Sequence, residues 1–241
     1  MVERVSKTQA SDSAERVAPE PTLRRLPLYH RLLKDLQQSG VVGVSCTHIG
    51  AGLGLDPTQV RKDIEVTGAV GRPKVGYVVS DLMEAIAGFL GWDSVNEAFL
   101  IGAGSLGAAL LGYEKFHECG LNVVAAFDID PAKVGTQIHG KHVLALGEMP
   151  DLMRRMHIHI GIITVPAPVA QGVADLLVTG GVRAIWNFAP VHLKVPGEII
   201  VHNEDLYCSL AALSQKLAKV LHQEASSEQG LKEGVQHHVS G

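Results

Sequence analysis

Gly102, Gly104 and Gly107 stand in the stretch FLIGAGSLGAALLGY at GxGxxG spacing, between an apolar run and a helix-like one. That spacing suits a dinucleotide. The first glycine permits a tight turn, the second lets a pyrophosphate approach the backbone, and the third lets helix pack on strand. Ala103, Ser105 and Leu106 complete the turn, and the helix start after it offers N–H groups and a positive dipole end. Asp128 ends the next apolar run about twenty residues on, where a carboxylate accepts hydrogen bonds from the adenosine ribose hydroxyls and repels a 2′-phosphate. An acid there favours NADH and NAD+ over their phosphorylated forms, while Lys133 is close enough to leave that preference open. As a plain turn residue of DIDP, Asp128 would have no such role.

A second chemistry comes earlier, in TQVRKDIEVTGAVGRPKVGY. Arg61 and Lys62 are adjacent cations, and Arg72 and Lys74 come next among glycines and a proline. Net charge is −4, which by itself argues against a nucleic-acid partner. The distribution argues otherwise: residues 22–77 carry eight Lys/Arg against four Asp/Glu, and the chain after Tyr77 carries ten against seventeen. A basic N-terminal module on an acidic body points to phosphate contacts, with Gln59, Arg61, Lys62 and Glu65 facing outward from one helix. A solvated helix face and a polar hairpin are the plainer readings of these two pairs.

These residues need elements to hold them. A helical stripe at Leu28, Leu32, Leu33 and Leu36 predicts a first helix that follows Pro27 and stops at Gly40. Ser45 reads as the N-cap of a short second helix. Asp56 with Pro57 after it opens a third, with Val60 and Ile64 facing the core. Three short helices and a Gly/Pro-punctuated basic segment outline a winged helix-turn-helix, whose second helix of the turn enters the major groove. From Val95 onward strands and helices alternate: EAFLIGAG, LNVVAAFDID, IHIGIITVP and VRAIWNFAP read as strands, and SLGAALLGYEKFHECG as one helix stopped by Gly120. Such alternation implies a parallel sheet with crossover helices. Loops at its strand ends, including Val165–Pro166 and Asn187–Phe188, should lie along a bound cofactor.

Exclusions narrow the function. Three scattered cysteines without CxxC spacing suggest neither disulfides nor zinc, and fit a reducing cytoplasm. The two uncharged stretches, 98–113 and 156–174, are interrupted by glycines, prolines and polar residues and are read as buried strands running into helices, not membrane spans. Twelve histidines offer no recognisable catalytic or metal-ligating arrangement. The region after the cofactor fold reads as a single helix, leaving no substrate domain, so the chain is read as a non-enzyme.

Taken together, RLPLYHRLLKDL, QVRKDI, GAVGRPKVGY, GAGSLGAALLGY, FDIDPAKVG, ITVPAPVAQGVADLLVTGGVRAIWNFAPVHLKVP and NEDL resemble the Rex family of bacterial redox-sensing transcriptional repressors, from about Leu26 to Leu221. The resemblance implies an α/β chain: tail 1–21, winged-helix DNA-binding domain 22–92, Rossmann NAD(H)-binding domain 93–203, domain-swapped dimerisation helix 204–222 and tail 223–241. It implies a homodimer that binds a palindromic operator in double-stranded DNA when NADH is low and is released by NADH. It places the pyrophosphate on Gly102–Gly107, the adenosine ribose on Asp128 and the nicotinamide near Tyr113. It further implies a switch in which Asp205 of one subunit approaches Tyr113 or Arg31 of the other. Two departures stand out: EVTG (Glu65–Gly68) replaces the family's SYFG-like run, and Leu206 stands where many members have Phe. An NAD-binding paralogue or small oxidoreductase with altered or lost DNA binding is the alternative.

Overall fold

The computed structural model describes residues 18–73 and 75–237, with the backbone alone of Leu206 and of residues 224–237. The chain divides into two compact units: one holds the described residues up to Glu97 together with Tyr113–Asn122, the other Ala98–Gly112 and the described residues from Val123.

The first unit is helical. It comprises α1 (Glu20–Gln38), strand β1 (Gly43–Val44), α2 (Cys46–Leu53), α3 (Pro57–Glu65), strand β2 (Tyr77–Val78) and α4 (Val79–Leu90). The expected caps form. The Ser45 hydroxyl accepts from the His48 N–H at 3.1 Å, and the Asp56 carboxylate from the N–H groups of Thr58 and Gln59 at 2.7 and 3.3 Å. β1 and β2 pair antiparallel, Gly43 opposite Val78, and between α3 and β2 the chain turns back on itself with Arg72 and Gly76 exchanging backbone hydrogen bonds. Gly76 has φ +86°, and a side chain there would collide with the Val44 carbonyl, so the wing requires glycine. Leu26, Tyr29, Leu33, Ile49, Val60, Ile64 and Ile86 fill the core of this unit.

α1 differs from expectation. It begins at Glu20, not after Pro27, and carries Pro27 in its interior. An interior proline deletes an i→i−4 hydrogen bond and costs ~3 kcal/mol. The turn before it is held instead by tertiary contacts. The fully buried Asp63 of α3 receives the Thr22 hydroxyl at 2.9 Å, a bidentate Arg25 guanidinium at 2.6 and 2.8 Å, the Tyr29 hydroxyl at 2.6 Å and the Gln59 amide at 2.9 Å. Thr22 and Arg25 precede Pro27 on one face of α1 and Tyr29 lies beyond it, so α3 splints the helix across its defect.

The second unit is a seven-stranded sheet in the order β5-β6-β4-β3-β7-β8-β9. Its strands are β3 (Asn96–Ile101), β4 (Leu121–Asp128), β5 (Gln137–Ile138), β6 (Lys141–Ala145), β7 (Ile160–Ile163), β8 (Ala184–Asn187) and β9 (Ile200–Asn203). β6 pairs parallel with β4, β7 with β3 and β8, and β8 with β9, while β5 folds back antiparallel on β6. Without β5, the order is that of the dinucleotide fold, with its reversal between β3 and β7. The crossover segments hold α5 (Ser105–Leu111), the one-turn α6 (Lys115–Glu118), α7 (Met149–Met156) and α8 (Ala167–Gly180), and α9 (Leu206–His237) comes after β9. The single helix expected over 105–120 is thus two, the first ending at its C-cap Gly112, where an added Cβ would lie 2.7 Å from the His139 ring. α9 continues to His237, through the stretch from residue 223 that the sequence reads as a frayed tail. Phe99, Ile101, Phe127, Met153, Ile163, Leu177 and Ile185 form the core between sheet and helices. Among the described residues no helix is long and apolar enough to cross a membrane.

Burial opposes ionisation of Asp63, but the hydrogen bonds from Arg25, Tyr29, Thr22 and Gln59 outweigh it and hold its carboxyl down at about 2. The folded value is depressed, so the stability it contributes is complete above the ordinary carboxylate value of ~3.9 and is lost as pH falls toward 2. Urea unfolding of the first unit, monitored from pH 6 to pH 2, should lose stability across that window more steeply than in Asp63→Asn. Asp63→Ala, which strands the Arg25 guanidinium, should cost about 3 kcal/mol at neutral pH.

Candidate functional site

The carboxyl ends of β3 and β7 meet at the sheet's reversal, and the loops that leave them are tied together. The Thr164 N–H donates to the Ile101 carbonyl at 2.9 Å, and its hydroxyl donates to the Gly102 carbonyl at 2.7 Å. The Gly102 N–H donates to the Phe127 carbonyl of β4 at 2.8 Å. Gly102 sits at φ +103°, and a Cβ on it would lie 2.8 Å from Val165 Cγ1. At Gly107 a Cβ would collide with the Gly102 carbonyl oxygen and crowd the side chains of Leu100 and Thr164, so α5 reaches the sheet only because that residue is glycine. Gly104 is different. Its φ of −78° and ψ of −168° are open to any residue, and a Cβ there would meet nothing within 4 Å. Two glycines are demanded by the chain itself, and the third is demanded by nothing among the described residues.

Asp128 closes this turn from β4. One carboxylate oxygen accepts from the Ala103 N–H at 2.9 Å and from the Lys133 ammonium at 3.2 Å, and the other accepts from the Asp130 N–H at 2.9 Å. Burial pushes its pKa up, but these hydrogen bonds prevail and hold it below the usual carboxylate range. The carboxylate is therefore an ionised brace under the glycine turn, already engaged by a cation.

The other expected contacts divide. Val165 is half-buried against Gly102, Pro166 is exposed as the N-cap of α8, and Ser105 and Leu106 are exposed at the start of α5. Asn187 is fully buried, and its amide is consumed within the protein: the nitrogen donates to the carbonyls of Ala189 and Val191 and to Asn203 Oδ1, and its oxygen accepts from the Ala189 N–H. Its side chain organises the NFAP loop rather than facing outward along it. Phe188 is half-buried, its ring 4.9 Å from that of Trp186. Downstream, Asp205 caps α9, accepting from the N–H groups of Tyr207 and Cys208 at 2.8 and 3.1 Å, and it borders a cleft of about 330 Å³ with Pro190, His192 and Tyr207. The Cys208 thiol and N–H hold its pKa low. Leu206 opens α9, its side chain outside the described set. Tyr113 falls in the first unit, half exposed, its ring edge-on to Phe116 at 4.9 Å.

In the first unit, α2 and α3 form the helix-turn-helix. Val60, Asp63 and Ile64 face inward, and Arg61, Lys62 and Glu65 are exposed on the other side of α3. Gln59 is half-buried and donates to Asp63, so it is drawn toward the core rather than out with the cations. Arg72 is exposed at the wing, Arg31 is exposed on α1, and Lys74 lies outside the described residues. Sequence reasoning missed Asp63, Thr164 and the clamp of Lys133 on Asp128. A signal for Asp63 existed: it shares the inward spacing of Val60, Ile64 and Thr67, and Thr22, Arg25 and Tyr29 repeat at three and four residues on α1. Among the described residues no group of His, Cys, Asp and Glu could hold a metal ion.

Two family models match the chain, a putative DNA-binding protein N-terminus over residues 18–64 and a CoA binding domain over residues 93–191. The redox-sensing transcriptional repressor Rex of Bacteroides fragilis is 41% identical over 212 residues, covering 88% of this chain and 96% of that protein. The Rex repressor of Treponema denticola is 44% identical over 199 residues, covering 83% and 95%. Among solved structures, RSP in complex with beta-NAD+ and operator DNA superposes with a TM-score of 0.80 at 35% identity over 88% of this chain and 98% of that one. RSP with beta-NADH gives 0.77 at 35% identity over 87% and 99%. With its helix-turn-helix, its glycine turn at the sheet's reversal and this likeness over most of its length, the chain belongs to the Rex family of redox-sensing transcriptional repressors.

Proposed function

We propose that the chain is a homodimeric repressor that binds a palindromic operator when NADH is scarce and leaves it when NADH binds. The observation that carries the nicotinamide half is Gly104, whose backbone is ordinary and whose Cβ position is open, so its missing side chain is explained by an external group that must approach the turn. A pyrophosphate is such a group, held on Gly102–Gly107. Asp128 at the end of β4 stands where an adenosine ribose would lie. The bound cofactor would supply only its redox state, NADH or NAD+. No substrate turnover is assigned, and an operator-binding protein of this kind works in the cytoplasm.

For the DNA half, Arg61 and Lys62 on the outer face of α3, with Arg72 at the wing and Lys74 two residues later in the chain, supply phosphate contacts. Gln59 supports the helix from within. The switch is assigned to Arg31, Tyr113 and Asp205. Asp205 is kept ionised by its capping bonds, so as a carboxylate it can pair with a guanidinium on the DNA-binding domain or hydrogen-bond a phenol near the nicotinamide, and the ligand shifts the balance by its differential affinity. A CoA-type ligand is the second reading, favoured by the family model over residues 93–191. It would use the same turn without Asp128.

Fluorescence anisotropy of a family-type palindromic duplex, titrated with protein alone, with NAD+ and with NADH at fixed salt, tests the whole. Retention abolished only by NADH is the expected result. NADH uptake without DNA retention in any state would leave an NAD-binding paralogue, and displacement of NADH by CoA would favour the second reading. Arg61→Ala/Lys62→Ala should abolish retention at low salt and flatten the salt dependence, by about one unit of slope for each phosphate no longer neutralised.

The glycines separate fold from ligand. Gly107→Ala should lower the melting temperature of the second unit, because its Cβ strikes the Gly102 carbonyl. Gly104→Ala should leave melting unchanged while weakening NADH binding about tenfold or more, because its methyl holds the pyrophosphate away from the backbone, as read by fluorescence titration.

A further inference from the structure

Arg31 and Tyr113, the two groups between which Asp205 is assigned to choose, belong to the same unit. The chain leaves the second unit after Gly112, joins the helical unit from Tyr113 to Asn122, and returns at Val123. Whatever fastens that excursion to α1 sets where Tyr113 stands relative to Arg31. Its far end is seated through the backbone: Gly120 has φ +68°, its carbonyl accepts from the Asn96 N–H at 2.7 Å, and a Cβ on it would lie 2.5 Å from the Ser94 carbonyl oxygen. Trp92, just before that seat, meets the His30 ring of α1 edge-on at 5.3 Å. Between the seat and Tyr113 lies α6, whose last residue, Glu118, is joined to α1 directly: the Lys34 ammonium stands 2.8 Å from its Oε2. Lys34 is three residues beyond Arg31 on the same helix. Its hydrogen bond and charge hold the Glu118 carboxyl below the usual carboxylate range.

We propose that the Lys34–Glu118 ion pair is the positioning contact of the redox switch: it bolts α6 to α1, fixes Tyr113 relative to Arg31, and so makes DNA release depend on cofactor state. The inference rests on the repressor reading above. Phe116 of α6, its ring 4.9 Å from that of Tyr113, extends the link from the ion pair to the phenol. With the pair broken, α6 keeps its Gly120 seat and swings about it, and Asp205 then meets a phenol whose place no longer depends on α1. A ligand moves an equilibrium only through its different affinity for two arrangements. A loosened Tyr113 narrows that difference, and the coupling between NADH and the duplex falls with it. A pair that merely decorates the surface would leave the coupling untouched.

The test measures, for the full-length protein, the ratio of duplex affinities without NADH and at saturating NADH, by anisotropy at one low salt concentration. Wild type is compared with Lys34→Met, Glu118→Gln and the charge exchange Lys34→Glu/Glu118→Lys, with thermal melting as the control for folding. A ratio cancels any general effect of charge on DNA affinity. Both single variants should lower it about three- to fivefold, the scale of one exposed ion pair, while NADH uptake and NADH-free retention stay near wild type. The exchange should restore most of the loss. A ratio unchanged in the single variants overturns the proposal, and so does an exchange as poor as either single variant, which would tie the effect to the residues and not to their pairing. Wild type that takes up NADH yet holds the duplex equally with and without it removes the repressor reading and this proposal together, before any variant is compared.

Discussion

An ionised carboxylate taken out of water must be met by donors or it destabilises the fold by several kcal/mol. In each unit one aspartate imposes that condition, and the neighbouring elements are arranged around it. Asp63 collects a guanidinium, a phenol, a hydroxyl and an amide from two helices, and in doing so fixes α3 against α1 across the break that Pro27 makes in the backbone ladder. Asp128 collects two backbone N–H groups and an ammonium, and fixes β4 to the glycine turn after β3. Both carboxyls are held below their usual range in spite of burial. Removing a donor would leave charge without its partner, so the donors form one cooperative group in each unit.

The legible part of the sequence was local. Caps at Ser45 and Asp56 depend on a side chain and an N–H two or three residues away, and both form as read. The GxGxxG turn and the run of β3, β4, β7 and β8 are likewise set by short patterns. The features that escaped were set by distance along the chain. Pro27 reads as a helix start until a partner 36 residues later supports the helix on both sides of it. Asn187 reads as a polar residue on a cofactor loop, yet its amide is spent on Ala189, Val191 and Asn203. Gln59 sits at an outward spacing, but a long side chain can turn back, and Asp63 gives it a reason to. The β5–β6 hairpin contains two residues in its first strand, too few for any periodicity to register.

The departure from family pattern at Glu65–Gly68 can be placed by the same reasoning. Val66 packs against the helical core, and the buried Thr67 hydroxyl donates to the Ile64 carbonyl at 2.7 Å while accepting from the Ala69 N–H at 3.3 Å. Gly68 comes next at φ +77°, a left-handed position that ends the turn after α3. VTG therefore closes the helix without an aromatic. Glu65, by contrast, is exposed four residues after Arg61 on the face that carries the cations. On the proposed function it there offsets part of the positive potential that would meet phosphates, and it adds an acceptor where the family's serine stands, a group suited to a cytosine amino edge and not to a guanine. The frame of the helix-turn-helix thus keeps its packing and its caps, and the change falls on the exposed face to which DNA contact is assigned in the proposed function. Under the proposed function, this arrangement points to an altered operator and not to a failed fold.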